Sequence, residues 1–522
     1  MIKTTTRGLA ALLMLAVACF TAVPGLTEET DRTPGPPGFS PQTGPAAAAA
    51  TDSAKIDTPL EITIGDAILT ALQNNRALRV ERLNPAIRET YEQEEAARFD
   101  PALAAELSAA RERVKAESRT TGTIADTSEG RTGAGLSLSR FLPTGTEFSV
   151  GLTTDLDWSE LYSDQYATRL GLTVTQSLLR GAGREFNLAS VRQARLDTLS
   201  SRHELRGFTE SLVAEVETTY WNYALARLQI QIYQKSADLA EQQLKEVEDR
   251  IEVGKLAEIE LAAAQAELAL RKEALINAQS NLDALRLRLA RLLNPGRGGA
   301  WNGPIILKNQ PAVPEVKLDD LESHCAVALR LRPDLNQARL EVLRGELEIV
   351  KTKNGLLPRM DLFINLGKSG YAGSFGGSLE DLGGRSYDIS AGISLELPPG
   401  NRAAESRHRR AVLNHDQAGE ALENLAQLAE LDVRLAYLEV NRAAQQIKAT
   451  VATRRFQEEK LRAETEKFRV GRSTPLMVAQ AQRDLVDSQI SEIKAIVNHL
   501  NSLVELFRVE GSLLERRGIS TD

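Results

Sequence analysis

Few residues in this chain are of a kind and spacing that do covalent chemistry. Five histidines are scattered through 522 residues, and the only cysteines are Cys19 and Cys325. Two cysteines rule out a disulfide scaffold or a cysteine-based zinc module. His408 and His415 stand seven apart in a basic run, which reads as a solvated helix face and not as a metal pair. There is no glycine-rich phosphate loop and no nucleophile motif. The chain therefore reads as a non-enzyme with no metal and no cofactor. With 63 basic and 71 acidic side chains the net charge is −8, against the basic excess that nucleic-acid binding requires.

The residues that do stand out are turns. Arg250-Ile-Glu-Val-Gly-Lys recurs 217 positions later as Lys467-Phe-Arg-Val-Gly-Arg. Glycine enters left-handed backbone without a Cβ penalty, so each motif can reverse the chain. The elements around these turns are helices of unusual length. No proline occurs from Gly183 to Asn294, where Gly207 and Gly254 are the interior glycines, or from Asn401 to Thr474, where they are Gly419 and Gly471. Read as one helix, Glu185 to Glu252 has 68 residues and a length of about 100 Å. Leu261, Leu268, Leu275, Leu282 and Leu289 recur every seven residues, as do Val486, Ile493, Leu500 and Phe507, a coiled-coil pattern. No window after the N-terminus has 18 consecutive apolar residues, so no helical membrane span is expected.

Between the helices the period changes to two. Apolar residues alternate with polar or small ones at Leu103–Ala109, Leu136–Leu138, Phe148–Leu152, Leu170–Val174, Met360–Leu366 and Ile389–Leu395. Such short one-sided segments separated by polar loops are the pattern of membrane-barrel strands. Trp158, Tyr162, Tyr166, Tyr371, Phe375 and Tyr387 near their loop ends form a candidate interfacial girdle.

The N-terminus reads as an export signal over residues 1–18, with Lys3 and Arg7, the apolar Leu9 to Val17 and a small-residue site at Ala16-Val17-Ala18. Cleavage after Ala18 would make Cys19 the first mature residue and a candidate for lipidation, although Ala16 stands where a lipobox usually has Leu. Residues 19–57 read as a flexible Pro/Ala-rich leader. The rest reads as two repeats of helix, strands, long helix, tip turn and long helix, at 58–317 and 318–517, with a tail at 518–522. Strands are expected at about 101–180 and 358–398, and long helices at about 184–293 and 402–510. Pro101 to Gly181 is about 40 residues longer than Pro358 to Gly400. The surplus is a hairpin around Leu142-Pro-Thr-Gly.

The order of Ala67-Ile-Leu-Thr-Ala-Leu-Gln-Asn-Asn, Gln176-Ser-Leu-Leu-Arg-Gly, Leu397-Pro-Pro-Gly-Asn-Arg and the two Val-Gly tips followed by Ala-Gln helices resembles the TolC-type outer-membrane efflux proteins of Gram-negative bacteria. The resemblance runs from about Leu60 to Arg517. It implies an α+β membrane protein, a homotrimer whose transmembrane β-barrel in outer-membrane lipid is continued by an α-helical coiled-coil periplasmic tunnel. It implies an exit duct working with a periplasmic adaptor and an inner-membrane transporter, proton-driven or ATP-driven, and no nucleic acid. The adaptor would meet Val253, Gly254 and Lys255 at the first tip and Val470, Gly471, Arg472 and Ser473 at the second. The family's tunnel is often narrowed by acidic residues six and nine positions past the second tip glycine; Met477 and Gln480 stand there, and Glu260 takes the sixth place after the first. An acidic gate of that type is not expected. The alternatives are the channel of a type I protein secretion system or, in a different class, a secreted coiled-coil structural protein. Four strands per subunit would give the family's twelve-stranded barrel. Because the second repeat has no counterpart to the extra hairpin, the expectation is twelve strands with that hairpin outside the wall.

Overall fold

The computed structural model describes residues 60–520 apart from 118–121, 123, 160–162, 295–302 and 315–317. The export signal, Cys19, the leader and Tyr162 lie outside the described residues.

A short strand, β1 (Leu60–Ile62), leads into α1 (Ile64–Asn74), α2 (Arg76–Glu81) and α3 (Asn84–Ala96). Thr63 and Asp66 start α1 with a reciprocal capping box. Asn75 caps α2 through the amides of Ala77 and Leu78 and donates to the Leu292 carbonyl, fixing this corner to a helix more than 200 residues away. Four strands follow: β2 (Ala102–Glu117), β3 (Ile124–Phe141), β4 (Thr146–Ser159) and β5 (Gln165–Ser177). A single turn at Arg184–Asn187 precedes α4 (Ala189–Glu252), so the first long helix has 64 residues and a break at Leu188 where 68 continuous residues were expected. After the tip comes α5 (Ile259–Leu293), and then the short strand β6 (Ile305–Leu307).

The second half contains α6 (Leu321–Leu331), α7 (Pro333–Asn354), β7 (Arg359–Ala372), α8 (Phe375–Glu380), β8 (Tyr387–Glu396), α9 (Arg402–Arg469) and α10 (Pro475–Val509), closed by the short α11 (Leu513–Arg516). Helix α9 has the expected 68 residues, and α5 and α10 each have 35. The heptad leucines of α5 form a half-buried stripe, with Leu289 fully buried at its end.

The core gathers about halfway along α4 and α9 and at the C-terminal ends of α5 and α10. Leu212, Val213, Val216, Tyr220 and Tyr223 of α4 pack with Leu289 and Leu293 of α5, Val433 and Val440 of α9, and Leu503, Val504 and Leu506 of α10. The parallel pair β1–β6 lies against this cluster. Its carbonyls are held by buried tyrosines, with Tyr220 Oη donating to Ile62 and Tyr223 Oη to Ile305. Cys325 is buried on α6, where it packs as a small apolar side chain. Beside it the buried His324 Nδ1 lies 2.5 Å from Glu510 Oε2. The chain end is stapled to α4 by a bidentate pair, both Arg517 nitrogens donating to the fully buried Glu217 at 2.6 Å. His408 and His415 are not on a solvated face. They are half-buried between α9 and α7, where His408 meets the Thr352 hydroxyl and His415 packs against Gly345.

The six longer strands make one antiparallel sheet in the order β2-β3-β4-β5-β7-β8. This corrects the expectation for the surplus hairpin. Strands β3 and β4 are bonded into the middle of the sheet over their whole length, β3 to β2 and β4 to β5. Their turn is also fixed to the strand-to-helix junction, because the Ser177 amide donates to the Gly145 carbonyl and the Gly183 amide to the Thr144 carbonyl. A side chain on Gly145, whose φ is 86°, would collide with the Gly181 carbonyl.

Near the core, burial outweighs charge pairing at Glu210. Desolvation raises its pKa from an ordinary value near 4.5 to about 7, although Arg206 Nε lies 3.3 Å away. The folded chain then holds a proton that the unfolded chain releases between pH 4.5 and 7, so this group costs stability as pH rises through that window. Glu210→Gln should leave stability unchanged near pH 4.5 and exceed the parent by on the order of 3 kcal/mol near pH 8. Thermal unfolding of both proteins at the two pH values measures the difference.

Candidate functional site at the helix tips and the one-sided sheet

Both tips are built the same way. Helix α4 stops at Val253 and Gly254 takes φ 70°; helix α9 stops at Val470 and Gly471 takes φ 75°. At the first tip the Gly254 amide donates to the Ile251 carbonyl and the Lys255 amide to Arg250. At the second, Gly471 donates to Phe468 and Arg472 to Lys467. These are two Schellman caps, which need a residue that accepts positive φ at the glycine position. Nothing lies within 4 Å of where a Cβ would sit on either glycine, so the demand is conformational and not steric.

The second tip is held more firmly. The Thr474 side chain caps α10, with Pro475 at the first helical position. Lys467 and Ser473 both bond Glu464, and their hydrogen bonds hold its carboxyl below the usual range. Helix α5 starts without a side-chain cap. The tips touch where the Arg250 guanidinium lies over the Phe468 ring, 4.5 Å from its centroid. Val253, Ile259, Val470, Leu476 and Met477 are all exposed, so the tips end in an apolar surface beside Lys255 and Arg472.

The constriction candidates divide between the hairpins. Met477 and Gln480 are exposed three residues apart at the start of α10, on one side of that helix. Glu260 is half-buried in the first turn of α5, on the other hairpin. A charged link that sequence reading missed joins α5 to α10: Glu267 bonds the buried Arg271 and lies 3.9 Å from Arg483. Spacing of four flags Glu267 with Arg271, but nothing local announces Arg483.

The sheet at the other end of the helices is two-faced. One face carries Leu103, Leu107, Leu136, Leu138, Phe148, Val150, Leu170, Ile364, Leu366, Ile389, Ile393 and Leu395, all exposed in the single chain. The other carries small and polar residues, as in the cross-strand row Ala104, Ser137, Gly151, Gly171, Gly367, Asp388. On that polar face Arg131 pairs with Asp157, and Arg169 reaches over Gly367 to Asp388 at 2.6 Å. A Cβ on Gly367 would sit 2.3 Å from the Asp388 carboxylate and 2.7 Å from the Arg169 guanidinium. Of the girdle candidates, Trp158, Tyr166 and Tyr387 lie on the apolar face, whereas Tyr371 lies on the polar one and Phe375 begins α8.

An apolar sheet face of this extent, continued by helices about 100 Å long, suits a chain that leaves lipid and crosses a wide aqueous space. The family model described as outer membrane efflux protein matches residues 67–295 and 326–512. The chain belongs to the outer membrane efflux protein family. Its place is the outer membrane, and a sheet-free secreted coiled coil is set aside. The chain is similar in structure to the outer-membrane channel OprN, with 19% identity and a TM-score of 0.65 over 92% of this chain and 98% of that one. It is also similar to the Campylobacter jejuni CmeC outer membrane channel, with 16% identity and a TM-score of 0.62 over 86% of each chain. The open-state Neisseria gonorrhoeae MtrE outer membrane channel matches with 18% identity and a TM-score of 0.61 over 86% of this chain and 89% of that one. No curated protein sequence matches the chain.

Gly471→Pro in this efflux protein should open its tip. Proline fixes φ near −65° and has no amide to offer Phe468. Hydrogen exchange at the Arg472 amide should rise at least roughly tenfold, the loss of about one hydrogen bond, while the middle of α9 exchanges as before. Unchanged protection at Arg472 would contradict the capping role.

Proposed function

We propose that three copies of this chain form the outer-membrane exit duct of a tripartite efflux or secretion system. The sheets close into one barrel in the lipid, and the four long helices of each copy form a tunnel across the periplasm. The observation that carries this reading is the one-sided sheet, whose apolar residues are exposed in rows although the chain's own core lies elsewhere. In lipid no water can satisfy the backbone groups at the open edges of β2 and β8, so closure needs further copies. A symmetric ring of three, which the resemblance to TolC-type proteins implies, gives every edge a partner.

The tips are where the other parts of the system dock. Val253, Gly254 and Lys255, with Val470, Gly471, Arg472 and Ser473, present two similar caps to a periplasmic adaptor, which links the duct to a proton-driven or ATP-driven inner-membrane transporter. Exposed valines beside a basic residue at both tips support docking of a partner's amphipathic helices. Met477, Gln480 and Glu260 are the residues nearest the tips that would narrow the passage; none of them forms the acidic pair usual in the family.

Cells lacking the chain should become sensitive to exported toxic compounds or fail to release a secreted protein. Gly254→Pro and Gly471→Pro should reproduce that loss while the protein still inserts in the outer membrane, because the tips lie about 100 Å from the sheet. Unaltered export of both cargo classes in the deletion strain would overturn the duct reading. Normal export by the tip variants would overturn the docking assignment.

A further inference from the structure

We infer that the barrel of this duct has eighteen strands, six from each copy, and so is wider than the twelve-stranded barrel that the family resemblance implies. The inference rests on the trimeric duct proposed above and adds to it the composition of the wall.

The first support is that the extra hairpin shares the membrane face. The pairing register carries one apolar row across all six strands: Leu103, Leu138, Val150, Leu172, Leu366 and Ile389. Leu138 and Val150 belong to the hairpin that has no counterpart in the second half. They are exposed on the same side as their neighbours. A hairpin folded away from the wall would leave this row interrupted and would have to break two full ladders, β2–β3 and β4–β5.

The second support is the drift of the apolar band along the strands. The row that begins at Leu103, the first apolar residue of β2, reaches β8 at Ile389, yet the apolar face of β8 continues six residues further to Leu395. At the outer boundary, the row of Lys368 on β7 reaches β2 at Ala105, six residues short of the comparable basic residue, Arg111. Both ends of the band therefore climb in the same sense by a little over one residue per strand. With a rise of about 3.3 Å per residue and a spacing of about 4.8 Å, that slope is a tilt of about 40°, within the range of closed barrels. The slope runs across β3 and β4 as it does across the other four strands, which places all six in one tilted wall.

The third support is fit to the tunnel. At that tilt, eighteen strands span a circumference of about 110 Å and twelve strands about 75 Å. The twelve helices that meet the sheet, α3, α4, α7 and α9 from each of three copies, packed at about 9 Å between axes also span about 110 Å. An eighteen-stranded barrel therefore meets the helical tunnel without narrowing. The inward row is kept low by Gly151, Gly171 and Gly367, and its charges are neutralised in the pairs Arg131–Asp157 and Arg169–Asp388. Such a mouth admits whatever cross-section the tunnel passes, and selection falls to the tips and the transporter.

Single cysteines, introduced with Cys19→Ser and Cys325→Ser and compared with the parent lacking them, test this in outer membranes. Leu138→Cys and Val150→Cys should react with a maleimide dissolved in the lipid and not with a charged aqueous maleimide. Ser137→Cys and Gly151→Cys should show the opposite preference; the latter is tolerated because a Cβ there meets nothing closer than 3.7 Å. Leu103→Cys and Leu172→Cys on the flanking strands are the lipid-facing controls, and the detergent-solubilised mass of each variant reports the trimer. A trimer in which Leu138→Cys and Val150→Cys label from lipid like the controls supports eighteen strands. A trimer in which only the controls label from lipid overturns the eighteen-stranded wall and leaves the duct standing. A monomer overturns the duct itself, and the wall with it.

Discussion

Every part of this molecule answers to the backbone hydrogen bonds of one sheet. A strand in hydrocarbon has no water to fall back on, and each unpaired amide or carbonyl there costs several kcal/mol. Among the described residues β2 and β8 pair on one side only, which leaves 16-residue and 10-residue strands with open edges. The apolar face reaches both of those edges, so neither is a natural boundary with water. On the proposed reading the chain is therefore incomplete by itself. Its exposed leucines and isoleucines are a lipid surface and not a folding defect.

Closure sets the terms for the helices. On the proposed closure, a ring of tilted strands would deliver its helices around a circle, side by side as a cylinder and not collapsed onto a central core. In the single chain α5 and α9 bury little along most of their length, and the apolar cluster is concentrated near Tyr220, Val433 and Leu506. At that level β1, β6, α6 and the stapled chain end brace the helices from outside their pairs. Glu217 with Arg517, drawn from the two halves of the chain, and His324 with Glu510, both from the second half, close this belt. Beyond the belt the helices run on as pairs, and the Schellman caps at Gly254 and Gly471 end them with little more than backbone geometry.

Much of this was legible in the residue pattern because the signals are local. Proline-free stretches gave the long helices to within a few residues, and period-two alternation found every long strand. Glycines in matching hexapeptides marked both tips. What escaped were pairings between distant positions. The hairpin around Pro143 is expected outside the wall because the second half lacks it, whereas register is a property of two strands and places it mid-sheet. Arg169 with Asp388, 219 residues apart, depends on Gly367 having no side chain, and no spacing rule reveals that. His408 and His415 were read as solvated from their basic neighbours, but the close approach of α7 at Gly345 covers them. Tyr371 was grouped with the girdle by its type, although its register turns it to the polar face.

The central claim is that the open edges of β2 and β8 meet in neighbouring copies, and a disulfide across that junction tests it most directly. Continuing the slope of the apolar band by one more strand brings Leu395 of one copy beside Leu103 or Ala105 of the next. With Cys19→Ser and Cys325→Ser, the doubles Leu103→Cys/Leu395→Cys and Ala105→Cys/Leu395→Cys would be oxidised in outer membranes and separated under denaturing, non-reducing conditions. Closure predicts a covalent trimer from at least one of them, lost on reduction and absent from each single variant. Correctly inserted protein that stays monomeric in both doubles would contradict closure between copies.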